Sequence, residues 1–337
     1  MNILVTGAAG YIGSIVTKEL IKDGNSVIAL YNLEQGHPEA LVPQASFVRA
    51  DLRDSKGLEK VFVDYQIEAI VHLAAEALVG ESMIHPKKYF RANVVYGINL
   101  LNTMLKYDVK KLIFSSSAAV YGNPESIPIK ESHTAAPVNP YGESKLMFER
   151  ILHWYGHAYE LKFISLRYFN AAGSKDDLGE DHEPETHLIP NVLKVALRQR
   201  QHVAVFGTDY PTSDGACIRD YIHVADIAGA HILALKHLGG NQANKAYNLG
   251  NSKGYSMLEV IETAREITGA SITVANHPRR PGDPAVLVAS SELAKSELGW
   301  EPKKRSLEVI IENAWKWQKE HPHGYESKRN RVTVDSR

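Results

Sequence analysis

The chain predicts an α/β fold, a doubly wound parallel sheet joined to a smaller mixed α/β part. Three observations carry this. The amino terminus runs from a buried-type strand through a glycine turn into a helix. Short β-branched runs then alternate with helical patterns over the first 170 residues, and alternation of this kind builds a parallel sheet with helices on both faces. After about residue 171 the elements become shorter and rich in Gly, Pro, Asp and His.

The elements follow in order. Ile3-Leu4-Val5-Thr6 is a short apolar, β-branched strand that leads into Gly7-Ala8-Ala9-Gly10-Tyr11-Ile12-Gly13, after which Val16, Leu20 and Ile21 continue at helical spacing. Glycines between a strand and a helix let backbone approach a pyrophosphate, which the helix amino-terminal N–H groups then hold. The spacing is Gly-x-x-Gly-x-x-Gly, and in isolation it could be a plain glycine turn. Further strands are expected at 27–30, 47–50, 69–73, 112–114 and 163–166, and helices at 55–63, 86–107 and 140–159. The strand at 112–114 runs into Ser115-Ser116-Ser117, a polar strand end that could hydrogen-bond a substrate oxygen. Pro140 suits the first position of a helix, with Asn139 ahead of it as a cap. Tyr141 and Lys145, four residues apart, then share one face, so a phenol and an ammonium can meet in one pocket as an acid/base pair. A solvated helix face also produces this spacing by chance. The expected organisation is 1–170 for nucleotide binding, 171–325 mainly for substrate, and a polar, basic, disordered tail at 326–337.

Composition narrows the classes. The chain has 337 residues, a formal net charge of −1 and 44% hydrophobic residues, which suits a globular enzyme and gives no basic bias toward nucleic acid or membrane. No apolar run reaches membrane-spanning length, and Met1 leads straight into a strand, so neither a membrane span nor a signal peptide is expected. The one cysteine, Cys217, cannot form an internal disulfide, which suits a reducing cytoplasm, and it reads as a buried structural residue. No metal site is expected. His182 and His187 are five apart, and Pro184 breaks the helix that would align them. His321-Pro322-His323 reads as a solvated surface turn.

Taken together, the glycine loop, Ser117 and the Tyr141–Lys145 pair resemble the extended short-chain dehydrogenase/reductase superfamily. The stretches Val79-Gly80-Glu81-Ser82, Ser115 through Gly122, Leu166-Arg167-Tyr168-Phe169-Asn170 and Phe206-Gly207-Thr208-Asp209-Tyr210 narrow the resemblance. So do Asp214 through Val224 (Asp-Gly-Ala-Cys-Ile-Arg-Asp-Tyr-Ile-His-Val) and Arg279-Arg280-Pro281-Gly282-Asp283. From Met1 to about Tyr325 the chain resembles the UDP-glucose 4-epimerase family. That resemblance implies a Rossmann-type sheet to which pieces of the second half return, NAD as cofactor, UDP-hexose substrates and a homodimer. The dimer would pair the helices at 86–107 and 140–159, which carry apolar residues beyond one stripe: Val94, Ile98, Leu101, Leu105, Met147, Ile151 and Leu152.

The resemblance also implies the site. Tyr141 would remove the proton from the sugar 4-hydroxyl while NAD takes hydride from carbon 4, and the 4-keto sugar would turn over and receive hydride on its other face. Lys145 and a cationic nicotinamide would lower the phenol's pKa. Ser117 would align the 4-oxygen. Gly7, Gly10, Tyr11, Ile12 and Gly13 would hold the pyrophosphate, and Asn32, Asp51 and Leu52 the adenosine. Leu73, Ala74, Ala75, Asn93 and Tyr168 would complete the cofactor set with Tyr141 and Lys145. Asn170, Arg219 and Arg280 would grip the substrate diphosphate, with His187 where some members carry asparagine. Tyr221 and Asp283 would lie on the uridine side, Leu188, Val205 and Phe206 alongside, and Leu287 at the sugar gatekeeper position. Two departures stand out. Tyr31 replaces the aspartate that grips the adenosine ribose, leaving one hydroxyl for a carboxylate, and Ala77 replaces a lysine of some members. No arginine neighbours position 31 in the sequence to take a 2′-phosphate, which favours NAD over NADP. A 4,6-dehydratase is disfavoured, since its acid pair is Ala118-Ala119 here. Epimerases of other UDP sugars (glucuronate, arabinose, N-acetylhexosamines) and a non-catalytic NAD-binding regulator stay open.

Overall fold

A computed structural model of the chain describes residues 1–238, 243–280 and 282–325; the expected tail at 326–337 lies outside the described residues. Seven parallel strands form the central sheet: β1 (Asn2–Thr6), β2 (Ser26–Tyr31), β3 (Ser46–Arg49), β4 (Ala69–His72), β5 (Lys111–Ser117), β6 (Lys162–Tyr168) and β7 (Lys245–Leu249). Their order is β7-β6-β5-β4-β1-β2-β3. In register, Val5 lies between Ala29 and Val71. The strand runs are nearly all apolar because both faces are covered. Ile3, Val5, Ala29, Val71, Ile113 and Ile164 face one layer, with Ile15, Val16 and Leu20 of the Tyr11–Lys22 helix and Ile227 and Ala234 of the Val224–His237 helix. Leu4, Ile28, Ile70, Leu112 and Phe163 face the other. There they meet Leu58 and Val61 of Ser55–Asp64, Leu101 and Met104 of Tyr96–Lys106, and Phe148 and Leu152 of Pro140–Tyr159. Consecutive residues thus go to opposite layers, the period of two that a strand imposes.

Strand order reverses between β1 and β4. In such sheets the crevice at the carboxyl ends of the two strands is where ligands bind. Of the expected elements, only the helix at 86–107 differs in kind. It runs as Pro86–Phe90, a π-turn at Arg91–Val95 and Tyr96–Lys106. The wide turn carries Asn93, consistent with the frequent placement of such turns at functional sites.

The second half packs three helices (Leu188–Ala196, Met257–Thr268, Leu307–Glu320) on the parallel pair Val203–Phe206 and Val274–His277, around Ile189, Leu193, Val205, Val260 and Ile310. Met257–Thr268 starts on a capping box of Ser256 and Glu259 and stops at Gly269 in the left-handed region. Pieces of this half do return: β7 pairs along β6, with Leu249 opposite Tyr168, and Val224–His237 lies on Tyr11–Lys22.

Two sequence expectations need correction. His321 is buried rather than solvated: its ring stacks on Trp317 at 4.9 Å, and Nδ1 meets the Trp317 carbonyl at 3.1 Å. Of the apolar residues assigned to a dimer face, Val94, Leu101 and Leu152 are buried within the chain itself. Met147 is exposed, as are Val95 and Trp154 on the same helical stretches. Cys217 is buried, and burial pushes its thiol pKa up. Among the described residues no helix is long and apolar enough to cross a membrane.

Candidate active site

The glycine loop sits at the strand-order reversal. Gly7 has φ +74°, and a Cβ there would meet the Ala74 backbone nitrogen at 2.8 Å. A Cβ on Gly13 would strike the Gly7 carbonyl oxygen at 2.1 Å. Gly10 caps the Tyr11–Lys22 helix without any side-chain bond, so its first N–H groups are left to a ligand. This cradle fits a dinucleotide pyrophosphate. The Tyr11 hydroxyl donates to the Gly173 carbonyl at 2.7 Å, which leaves Tyr11 and Ile12 to act through their backbone. The backbone of Leu73 and Ala74, just past β4, lies against Gly7, and Ala75 follows them in the chain.

At the ends of β2 and β3 the adenosine end departs from the sequence expectation. The Tyr31 hydroxyl does not stand free for a ribose. It accepts the backbone N–H of Gln35 at 2.9 Å and that of Gly36, and so closes the turn that follows β2. The carboxylate in reach is Glu34, which accepts from Asn32 Nδ2 at 3.0 Å and ion-pairs with Arg53. Asn32 Nδ2 also donates to Asp51 at 2.9 Å, and Arg53 holds Asp51 below the usual carboxylate range against the opposing effect of burial. An arginine is therefore close in space though distant in sequence, but two carboxylates occupy it. Leu52 points into the core, so only its backbone can face adenine.

Ser117 ends β5 beside Tyr168 of β6, and the Pro140–Tyr159 helix, capped by Asn139 at 2.8 Å, brings Tyr141 and Lys145 over that strand end. The Lys145 ammonium donates to the Ser115 carbonyl at 2.8 Å and lies 5.9 Å from the Tyr141 ring centre. Burial pulls Lys145 down to about 7, partly opposed by Glu149 one turn further on. Burial likewise raises the Tyr141 phenol, while a hydrogen bond from Ser117 lowers it. Lys145 alone thus does not bring the phenol toward neutral pH. In the chain by itself desolvation outweighs an ammonium bonded elsewhere, and a further positive charge is needed.

Sequence reading missed the polar frame under this pair. Glu149 takes the guanidinium of Arg167 on both oxygens, at 2.9 and 2.5 Å, and the Ser116 hydroxyl at 2.5 Å. Arg167 also donates to Tyr121 Oη at 2.8 Å, which donates to Asn248 of β7 at 2.7 Å. The available signal was Glu149 at eight residues from Tyr141, on the same helical face. Two residues expected at the cofactor already hold hydrogen bonds within the chain. Asn93 spends both amide hydrogens on the Glu76 carbonyl (3.0 Å) and Ser144 Oγ (2.9 Å) and accepts from Glu76 N (2.9 Å). Tyr168 is buried with its hydroxyl 3.1 Å from His231 Nε2.

On the substrate side, Asn170–Ala172 pairs with Tyr221–His223, which places Asn170 beside Tyr221 at the sheet's end. Arg219 and Asp283 are brought together as an ion pair; Arg219 also donates to the Ile218 and Pro284 carbonyls, each at 2.7 Å. Tyr221 is buried behind them. Arg280 lies 3.9 Å above the Phe206 ring, while Val205 is wholly buried and offers no side chain to a ligand. Leu287 pairs with Arg219 in register and packs against the Ala118, Val120 and Leu146 cluster, next to Ser117 and Lys145 in sequence. His187 precedes the Leu188–Ala196 helix, its Nδ1 2.9 Å from Glu180 and 3.1 Å from Glu185. These carboxylates raise its pKa to about 10 against the opposing effect of burial.

A glycine cradle at the switch point, facing a tyrosine–lysine pair at the end of β5, defines a dinucleotide-binding α/β enzyme. The chain belongs to the NAD dependent epimerase/dehydratase family, whose sequence model matches residues 3–250. It is 54% identical to the UDP-glucose 4-epimerase of Halalkalibacterium halodurans over 96% of this chain and 98% of that one. A crystal structure of a UDP-glucose 4-epimerase at 48% identity superposes with a TM-score of 0.93 over 96% of this chain and 99% of its own. The Bifidobacterium longum UDP-glucose 4-epimerase in complex with NAD+ and UDP, 38% identical, gives 0.92 over 96% and 100%.

Proposed function

We propose that the chain interconverts UDP-glucose and UDP-galactose by 4-epimerisation with NAD as its cofactor. The observation that carries this is the convergence of Ser117, Tyr141 and Lys145 on one strand end opposite the glycine cradle, in a chain that matches UDP-glucose 4-epimerases over almost its whole length. The chemistry that bound NAD supplies is reversible hydride acceptance at sugar carbon 4, and its nicotinamide charge is the further positive charge the phenol needs. Tyr141 takes the 4-hydroxyl proton and returns it to the 4-oxygen after the keto sugar has turned over. Ser117, whose hydroxyl favours the Tyr141 phenolate, aligns that oxygen. Lys145 holds the nicotinamide ribose, and Glu149 keeps its ammonium charged enough to support a phenolate.

Turnover of the sugar requires the nucleotide to be held firmly and the hexose loosely. Arg219, fixed by Asp283, and Arg280, stacked on Phe206, grip the diphosphate through fixed forks of donors. Asn170 and His187 complete that grip, His187 through Nε2, since Nδ1 is already engaged. Tyr221 and Asp283 lie toward uridine, and Leu188 and the backbone around Val205 form its wall. Glu34 and Asn32 take the adenosine ribose in place of an acid at position 31. Gly7, Gly10 and Gly13, with the backbone of Tyr11 and Ile12, hold the pyrophosphate. Residues 1–170 with 224–249 act as the NAD half and the remainder of 171–325 as the sugar half. Exposed Met147, Val95 and Trp154 favour a homodimer through the two helical stretches that carry them.

Incubating the purified protein with a panel of UDP sugars tests the reading. Equilibration of UDP-glucose with UDP-galactose, abolished in Tyr141→Phe, is expected. Retention of bound UDP-glucose with no conversion would instead select a binding protein.

A further inference from the structure

The sequence around Pro184 forms no helix, as that proline predicts, yet the loop folds back so that four donor side chains converge. The ligand atoms of Glu180, His182, Glu185 and His187 all lie within 4.8 Å of one another. Glu180 Oε1 is 3.4 Å from His182 Nδ1 and 2.9 Å from His187 Nδ1. Glu185 Oε1 is 3.1 Å from His187 Nδ1, and its Oε2 is 3.7 Å from His182 Nδ1. A tetrahedral zinc ion with nitrogen and oxygen ligands at roughly 2.0–2.2 Å spaces adjacent donors about 3.3–3.6 Å apart. The observed edges straddle that value.

A second observation points the same way. Glu185 is 5% exposed, and its Oε2 has no hydrogen-bond partner; nor has His182 Nδ1, which faces it. Two ligand atoms are thus close and buried without being aligned as donor and acceptor, an arrangement that costs free energy unless something else satisfies them. Two other histidines differ. Nδ1 of His231 meets the Ile227 carbonyl at 2.9 Å and Nδ1 of His237 the Leu233 carbonyl at 2.7 Å, ordinary core partners that this pair lacks.

We infer that Glu180, His182, Glu185 and His187 form a closed, four-coordinate site for a divalent cation of the zinc type. Two neutral imidazoles and two carboxylates exactly balance a dication, and oxygen and nitrogen donors without sulfur suit zinc, which outranks manganese for such a set. With four protein ligands and no open position, the ion is structural. His182 lies edge-on to Tyr11 at 6.3 Å, Tyr11 bonds Gly173, and His187 begins the Leu188–Ala196 helix. The ion would therefore pin the loop that opens the sugar half against the start of the glycine-loop helix. The competing arrangement is the same quartet closed by two protons, and metal uptake must displace them.

The test needs neither nucleotide nor sugar, so its outcome is independent of the proposed activity. Protein stripped with a chelator and dialysed is titrated with zinc chloride by calorimetry. Uptake of one zinc per chain is expected, with X-ray absorption showing only nitrogen and oxygen neighbours at about 2.0–2.2 Å. His182→Gln and Glu185→Gln should each weaken binding by about 100-fold or more, and zinc should raise the melting temperature of the wild type but not of either variant. No uptake by the stripped wild type would overturn the inference, whatever the variants do. Uptake undiminished in both variants, shown to be folded by circular dichroism, would also overturn it.

Discussion

Lys145→Met should produce an enzyme that is more stable and inactive. Burial pulls the wild-type ammonium from 10.5 to about 7. At about 1.36 kcal/mol per pH unit, that shift corresponds to about 5 kcal/mol of lost stability below pH 7, where the folded state must carry the buried charge. Methionine keeps the length of the stem and removes the charge. It also removes the 2.8 Å bond to the Ser115 carbonyl, worth about 1.5–3 kcal/mol for a charged donor. The expected net gain is about 2–3 kcal/mol. Because the folded pKa is the lower one, the unfolded chain binds more protons between pH 7 and 10.5, and wild-type stability climbs with pH across that window. The advantage of the variant should be full near pH 6, shrink from pH 7 to 8 and reverse near pH 9. Urea unfolding of NAD-free protein at four pH values measures it. A variant less stable than wild type at pH 6.5, or a gap that does not narrow with rising pH, would refute the idea that Lys145 is held against its own desolvation for catalysis.

Five further outcomes follow from the same structure. Tyr141→Phe should keep the fold and UDP-sugar binding but lower kcat by at least about 100-fold, as expected on loss of an acid/base group; near-normal turnover would remove Tyr141 as the base. Tyr31→Phe leaves the Gln35 and Gly36 N–H groups without their acceptor, and should cost about 1–2 kcal/mol and weaken NAD several-fold by calorimetry. Glu34→Gln should weaken NAD without changing kcat at saturation, and unchanged affinity would exclude Glu34 from the ribose. Leu287→Tyr, narrowing a packed wall, should slow N-acetylated UDP sugars far more than UDP-glucose, whereas the wild type should already prefer the smaller pair. Light scattering at micromolar concentration should give the mass of a dimer, and a monomer mass would reject the helical interface.

Most of the sheet was legible because β-branched runs and helical repeats alternate cleanly from Ile3 to Leu166, and the strands other than the exposed edge strand β3 are too apolar to be anything but buried. β7 was not, because Lys245-Ala246-Tyr247-Asn248-Leu249 is short and mixed, and its place is set by pairing along β6. At the site, Tyr141 and Lys145 could be read from helical spacing and the glycine cradle from its strand–turn–helix setting. Side-chain direction could not. Nothing local in the sequence tells that Tyr31 bonds its own turn, that Asn93 spends its amide on Glu76 and Ser144, or that Leu52 and Val205 face inward. Spacing also misled at His182 and His187, since a five-residue separation forbids convergence only on a helix, and this segment is a loop.

The late arrival of β7 has a consequence for the order in which the protein can be made. Until Lys245–Leu249 emerges from the ribosome, the outer edge of β6 stays unpaired, although Ser117, Tyr141 and Lys145 have all been synthesised. Some 80 residues separate the two strands, roughly 4–16 s of elongation at 5–20 residues per second. During that interval the nascent chain displays a seven-residue strand edge of the kind that recruits other strands. The Arg167–Tyr121–Asn248 relay is likewise incomplete, so the buried guanidinium lacks the far end of its network. Covering that edge until residue 249 has emerged is therefore a requirement of synthesis that the finished fold no longer displays.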